Sequence, residues 1–169
     1  ASQVAEALAM RLTGDDRARL ARRGTEDPRA YEAYLRGRYH WYSFTVEGLA
    51  RALLHFNEAI SIDPSFAAPY AGVAEYYNRL ALFGVVPSRE CFAAAKDAAR
   101  KAVLLDETLA EAWAALAFAT LGADWDWAES ARLINRALEL DPRSVQVHEW
   151  RAFILAAAGQ TAEAVAAVD

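Results

Sequence analysis

Apolar residues fall along this chain in short blocks at helical spacing, and the blocks restart in phase. From Tyr70 the apolar or small positions run Tyr70, Val73, Ala74 and Tyr77; from Trp113 they run Trp113, Leu116 and Ala117. An i, i+3, i+4, i+7 recurrence marks one stripe of an α-helix. A second set of stripes follows: Ala52, Phe56 and Ala59; Ala95, Ala99 and Ala102; Ser130, Ile134 and Ala137. Each is opened by a large apolar residue, Leu49, Phe92 or Trp127, with Thr45, Ser88 or Asp126 just ahead of it. Those three side-chain oxygens are placed to accept from free backbone N–H groups of a first helical turn. Asp126 and Glu129 also have the spacing of a capping box.

An Asp-Pro or Asp-Glu dipeptide separates one pair of stripes from the next. Pro28, Pro64, Glu107 and Pro142 lie about 36, 43 and 35 residues apart, the range of helical-hairpin repeats. Six residues after each mark stands Tyr34, Tyr70, Trp113 or His148. Proline lacks the N–H a helix interior needs and biases the residue before it away from the helix, so the chain turns there. The pattern predicts helix, turn, helix, turn, with Ala and Gly where helices cross and rings filling the gaps between them. No unit hides its apolar stripe alone, so neighbours must stack. The expected fold is all-α.

This spacing resembles the tetratricopeptide repeat family, whose pattern runs W-x2-L-G-x2-Y, then A-x3-F, then P. The third unit fits best, through Trp113, Leu116, Ala117, Ser130, Ile134, Ala137 and Pro142; the fourth keeps Gly159 and Ala164 but has His148 and Arg151 where Trp and Leu belong. The resemblance implies a right-handed superhelical stack of antiparallel helix pairs, with repeats at about 28–64, 65–107, 108–142 and a truncated 143–169. It also implies a concave groove lined by Glu32, Leu35, Tyr39, Tyr42, Glu75, Asn78, Arg79, Glu111, Phe118, Leu121, Glu149 and Phe153. Some family members clamp a peptide carboxylate with Lys, Asn and Arg at the fifth position and its neighbours. Here the fifth positions are Leu35, Ala71, Ala114 and Glu149. The implied ligand is instead an apolar or basic peptide or amphipathic helix.

Residues 1–27 differ in kind. "QVAEALAMRL" predicts one short amphipathic helix and "TGDDRARLARRG" another, closed by Gly24. The passage looks like the junction in large bacterial signalling proteins, where such arrays follow a cyclase or winged-helix module, and the chain reads as a piece of a longer regulator. Those regulators place the array on either side of the inner membrane; the cytoplasmic side is the expectation here. Extra residues near "YHWYSFT", "LALFGVVPSREC" and "GADWDW" are expected in loops on one face. The incomplete last unit is expected to leave an apolar edge at Ala164, Val165 and Val168 that pairs with a second copy. A spacer between flanking domains, binding nothing itself, is the alternative.

Composition narrows the chemistry. The chain of 169 residues is 55% hydrophobic and carries a formal charge of −5, which argues against a broad phosphate-binding surface. Its basic run, Arg17, Arg19, Arg22 and Arg23, is offset by Asp15, Asp16, Glu26 and Asp27, and reads as a solvated face or a contact with an upstream domain. There is no apolar run of membrane-spanning length. One cysteine, Cys91, excludes an intrachain disulfide and a multi-thiolate metal site. His40, His55 and His148 lack metal-ligand spacing, and no Gly-rich phosphate loop occurs. In "DWDW", Asp126 and Trp127 have structural readings as cap and helix opener, which leaves Trp125 exposed. The expectation is a non-catalytic protein without a cofactor.

Overall fold

The computed structural model describes residues 24–43, 45–84 and 87–167. The expected helices before Gly24, the arginine run and Val168 lie outside them. Eight helices follow one another, with no strand among the described residues: α1 Pro28–Trp41, α2 Val46–Ile62, α3 Ala67–Phe83, α4 Ser88–Leu105, α5 Ala110–Asp124, α6 Trp127–Leu140, α7 Val145–Ala157 and α8 Thr161–Ala166. They pack as pairs, α1 with α2 through α7 with α8, and each pair leans on the next.

The dipeptide marks close the turns by a bond the apolar pattern does not reveal. Tyr70 Oη donates to the Pro64 carbonyl at 3.2 Å, Trp113 Nε1 donates to the Glu107 carbonyl at 2.8 Å, and His148 Nε2 lies 2.9 Å from the Pro142 carbonyl. Each ring is half-buried and reaches back six residues with its polar tip. That is why a histidine can stand where a tyrosine and a tryptophan stand elsewhere. The aspartate of each mark ties the same turn from inside: Asp63, Asp106 and Asp141 accept from the backbone N–H of Ser65, Thr108 and Arg143 at 2.9, 2.9 and 3.0 Å. Pro28 behaves differently from the other marks. Asp27 caps α1 directly and Pro28 takes its first position, where a missing N–H is harmless.

Two of the three expected caps form. Thr45 accepts from Gly48 N at 3.0 Å, and Asp126 accepts from Glu129 N at 3.0 Å. The Glu129 carboxylate turns to Arg132 instead of completing the box. Ser88 lies inside α4 because the chain turns one residue earlier, at Pro87, whose carbonyl accepts from Glu90 N. The extra residues of the second unit do not form a long loop. They lengthen α3 and α4 to 17 and 18 residues, with Gly84 in the left-handed region capping α3. Leu80, Ala81 and Cys91 bury together at the extended ends, so the added turns carry their own small core.

Small residues at the crossings do what packing requires. A Cβ on Gly37 or Gly72 would stand 2.5 or 2.7 Å from the Phe56 ring, and one on Gly122 would stand 2.4 Å from the Phe92 ring. Phe56 is therefore gripped between α1 and α3. The largest core surrounds α5, which is apolar on every side and touches α3, α4, α6 and α7. Asn78 Nδ2 donates to the Ala115 carbonyl, and Ser130 Oγ to the Ala117 carbonyl, at 2.9 and 3.0 Å. Those bonds satisfy polar groups that would otherwise be stranded in that core.

Candidate binding groove

The first helices of the four pairs, α1, α3, α5 and α7, carry the expected groove residues, which divide into an interior and a rim. Glu75, Asn78, Arg79 and Phe118 are buried, Glu149 and Phe153 are half-buried, and Tyr39 and Tyr42 are 77% and 58% exposed. Leu35 is exposed as well, Glu32 is exposed and paired with Arg36 four residues on, and Glu111 is half-buried.

Charge pairs fill the interior. Arg38 of α1 donates to Glu75 Oε2 at 3.0 Å and to the Tyr42 hydroxyl at 2.8 Å. The Gln146 side-chain amide of α7 also lies against the Arg38 guanidinium and, with its oxygen turned toward the arginine, accepts from it. Arg79 of α3 donates to Glu149 Oε1 at 2.5 Å. The Arg79 guanidinium also lies 4.7 Å from the Trp41 ring and 5.6 Å from the Trp150 ring, within reach of both π faces. Sequence reasoning placed Glu75, Asn78 and Arg79 in the groove but missed Arg38, Trp41, Gln146 and Trp150. Register alone does not show that side chains one helical step off the lining row meet across a curved stack.

Burial dominates the electrostatics. It pushes the Glu75 carboxyl above its ordinary range; Arg38 pulls the other way, while Glu111 and Glu149 add to the rise. Burial alone would lower Arg38, yet Glu75 and the phenols of Tyr34 and Tyr42 hold it above its ordinary value. Glu75 Oε1 and Asn78 Oδ1 are buried with no hydrogen-bond donor among the described residues. The groove glutamates of α3, α5 and α7 therefore feel one another across the interior.

Elsewhere the chemistry is sparse. Burial, helped by Glu90, pushes the Cys91 thiol up, which disfavours the thiolate a nucleophile needs. His40 and His55 stack with ring centres 5.5 Å apart, and His55 Nδ1 meets Glu58 at 2.9 Å. No group of three His, Cys, Asp or Glu residues among the described ones is arranged to hold a metal. Trp125 is 72% exposed, as expected; its φ of 56° puts it in the left-handed region that Gly84 and Gly159 occupy elsewhere. No helix of the described residues is long and apolar enough to cross a membrane.

A stack of helix pairs with charged and aromatic side chains along its inner helices defines a helical-repeat protein. The sequence model described as Tetratricopeptide repeat matches residues 133–166, from within α6 to the end of α8. The fold matches solved arrays at low identity. The first tetratricopeptide domain of Spaghetti (RPAP3), bound to the HSP90 peptide SRMEEVD, has a TM-score of 0.59 and 18% identity, covering 80% of this chain and 98% of that one. TTC0263, a thermophilic tetratricopeptide protein of Thermus thermophilus, has a TM-score of 0.60 and 16% identity, covering 82% and 70%. Among curated sequences, the transcriptional regulator HilA of Salmonella typhimurium is 27% identical over 136 residues, or 80% of this chain. The chain spans 24% of the length of that relative. The chain is thus similar to tetratricopeptide repeat proteins in sequence over residues 133–166 and in fold over about four fifths of its length.

Proposed function

We propose that the chain is a non-catalytic interaction segment of a larger bacterial regulator, and that its inner helices receive a basic or apolar segment of a partner protein. The observation that carries this reading is the lining itself. Glu32, Glu111 and Glu149 stand on three of the inner helices, the first and last of them already paired with Arg36 and Arg79, and Tyr39 and Tyr42 expose their rings at the end of α1; carboxylates and rings together suit cationic and apolar side chains. A solved neighbour of the same fold is bound to a peptide, SRMEEVD, whose end is acidic. The carboxylates here favour the opposite charge. The likeness to a much longer transcriptional regulator supports a role inside such a protein, acting in the cytoplasm where DNA is.

The test is fluorescence anisotropy with two labelled probes, an amphipathic Lys/Leu helix and the acidic peptide SRMEEVD. The basic probe is expected to bind, more weakly as salt rises, and to lose about tenfold in affinity in Glu111→Gln/Glu32→Gln, where rim charges are removed. Equal binding of the two probes, or none of the basic one, overturns the proposal.

A further inference from the structure

In a helical-repeat stack each unit normally touches only its neighbours. Contacts in this groove skip the third pair: Arg79 of α3 donates to Glu149 of α7, and the Arg38 guanidinium of α1 lies against the Gln146 amide of α7. Arg79 is moreover sandwiched between Trp41 of α1 and Trp150 of α7, the two ends of the array. We propose that these side chains form a latch that holds the first and last repeats together across the concave face, so that a ligand has to open it. This rests on the groove reading above and adds its regulation.

The composition of the contact favours a latch over ordinary core. A buried ion pair is weak evidence for stability, because desolvating both partners offsets most of their attraction. Here the pairing is also incomplete, since Glu75 Oε1 and Asn78 Oδ1 lack donors among the described residues. Opening would return Glu75 Oε1 to water, and the helix pairs keep their contacts around Phe56 and α5, although the two rings flanking Arg79, Trp41 and Trp150, belong to those same clusters. Two packings that trade satisfied charge for hydration differ little in free energy, which is the condition for a two-state element. Where only the open fraction binds, apparent affinity falls in proportion to that fraction.

The experiment compares the parent chain with Gln146→Ala/Glu149→Ala by hydrogen exchange and small-angle X-ray scattering. Both residues sit on the half-exposed side of α7, so Val147, Trp150 and Ile154 keep their burial. Amides of α1 and α7 are expected to exchange at least about tenfold faster, with α4 and α6 unchanged and the radius of gyration increased. Unchanged exchange in α1 and α7, or uniform acceleration through every helix, overturns the latch. If the double variant loses its helical circular dichroism, Glu149→Gln alone is read by the same two measurements. Gln146→Ala, which keeps every groove carboxylate, should bind the Lys/Leu helix more tightly than the parent. Failure of that probe to bind either chain removes the groove reading, while the exchange result still decides the latch.

Discussion

At the scale of single residues, the ring six positions after Pro64, Glu107 and Pro142 does two jobs. Its body packs between helices, and its tip closes the turn on a backbone carbonyl. Trp113→Phe keeps most of the first and removes the second, so it should lower stability by about 1 kcal/mol, the usual net worth of one hydrogen bond, measured by urea unfolding. Glu75 makes a pH prediction. Its carboxyl is raised in the folded state above its ordinary 4.5, so the native chain holds that proton more tightly than the unfolded one. The resulting stabilisation is complete below about 4.5 and is lost as pH rises through the raised value. The stability of the parent relative to Glu75→Gln should therefore fall as pH rises above about 4.5; a parallel pair of pH–stability curves would contradict this. The apolar stripe gave no hint of it, because Glu75 reads from sequence as one more polar residue on a lining row.

At the scale of helices, the stripes were legible because alanine and large rings alternate at crossings with a period the backbone imposes. Thr45 and Asp126 were legible as caps because their chemistry is local. The extension of α3 and α4 was not. "LALF" and "ECFAAA" are good helix formers, but only the burial of Leu80, Ala81 and Cys91 against Tyr76, Tyr77 and Phe92 decides that they continue the helices. The crossing of α4 with α5 offers a direct test. Gly122→Ala gains helix propensity but drives a methyl into the Phe92 ring, so a net loss of about 1–3 kcal/mol is expected in chemical denaturation. Gly84→Ala would be strained by its φ of 66° despite open space around it, which makes it the control for backbone strain.

At the scale of the whole molecule, the stack followed from sequence, because units that cannot hide their own stripes have to pile up. Its curvature did not. How far α1 and α7 approach depends on small rotations summed over the junctions between pairs, and no local pattern records them. Arg38, Trp41 and Trp150 therefore entered the groove only with the structure. At the far end, Val145 and Val165 are 81% and 55% exposed, whereas Ala164 is buried. We propose that the edge expected at Ala164, Val165 and Val168 self-associates through the exposed Val165, and sedimentation velocity should show a concentration-dependent shift that Val165→Lys abolishes.

The apolar girth of α5 has a consequence for synthesis. Phe118 packs against Trp150 with tilted rings and centres 4.9 Å apart, and Val147 joins the same cluster, but both partners belong to α7, which begins 21 residues after α5 ends. On a ribosome adding about 5–20 residues per second, the helix stands with one flank bare for a second or more. During that interval the nascent chain presents a greasy rod that a chaperone could grasp, and a stall between the codons for Asp124 and Val145 would prolong it.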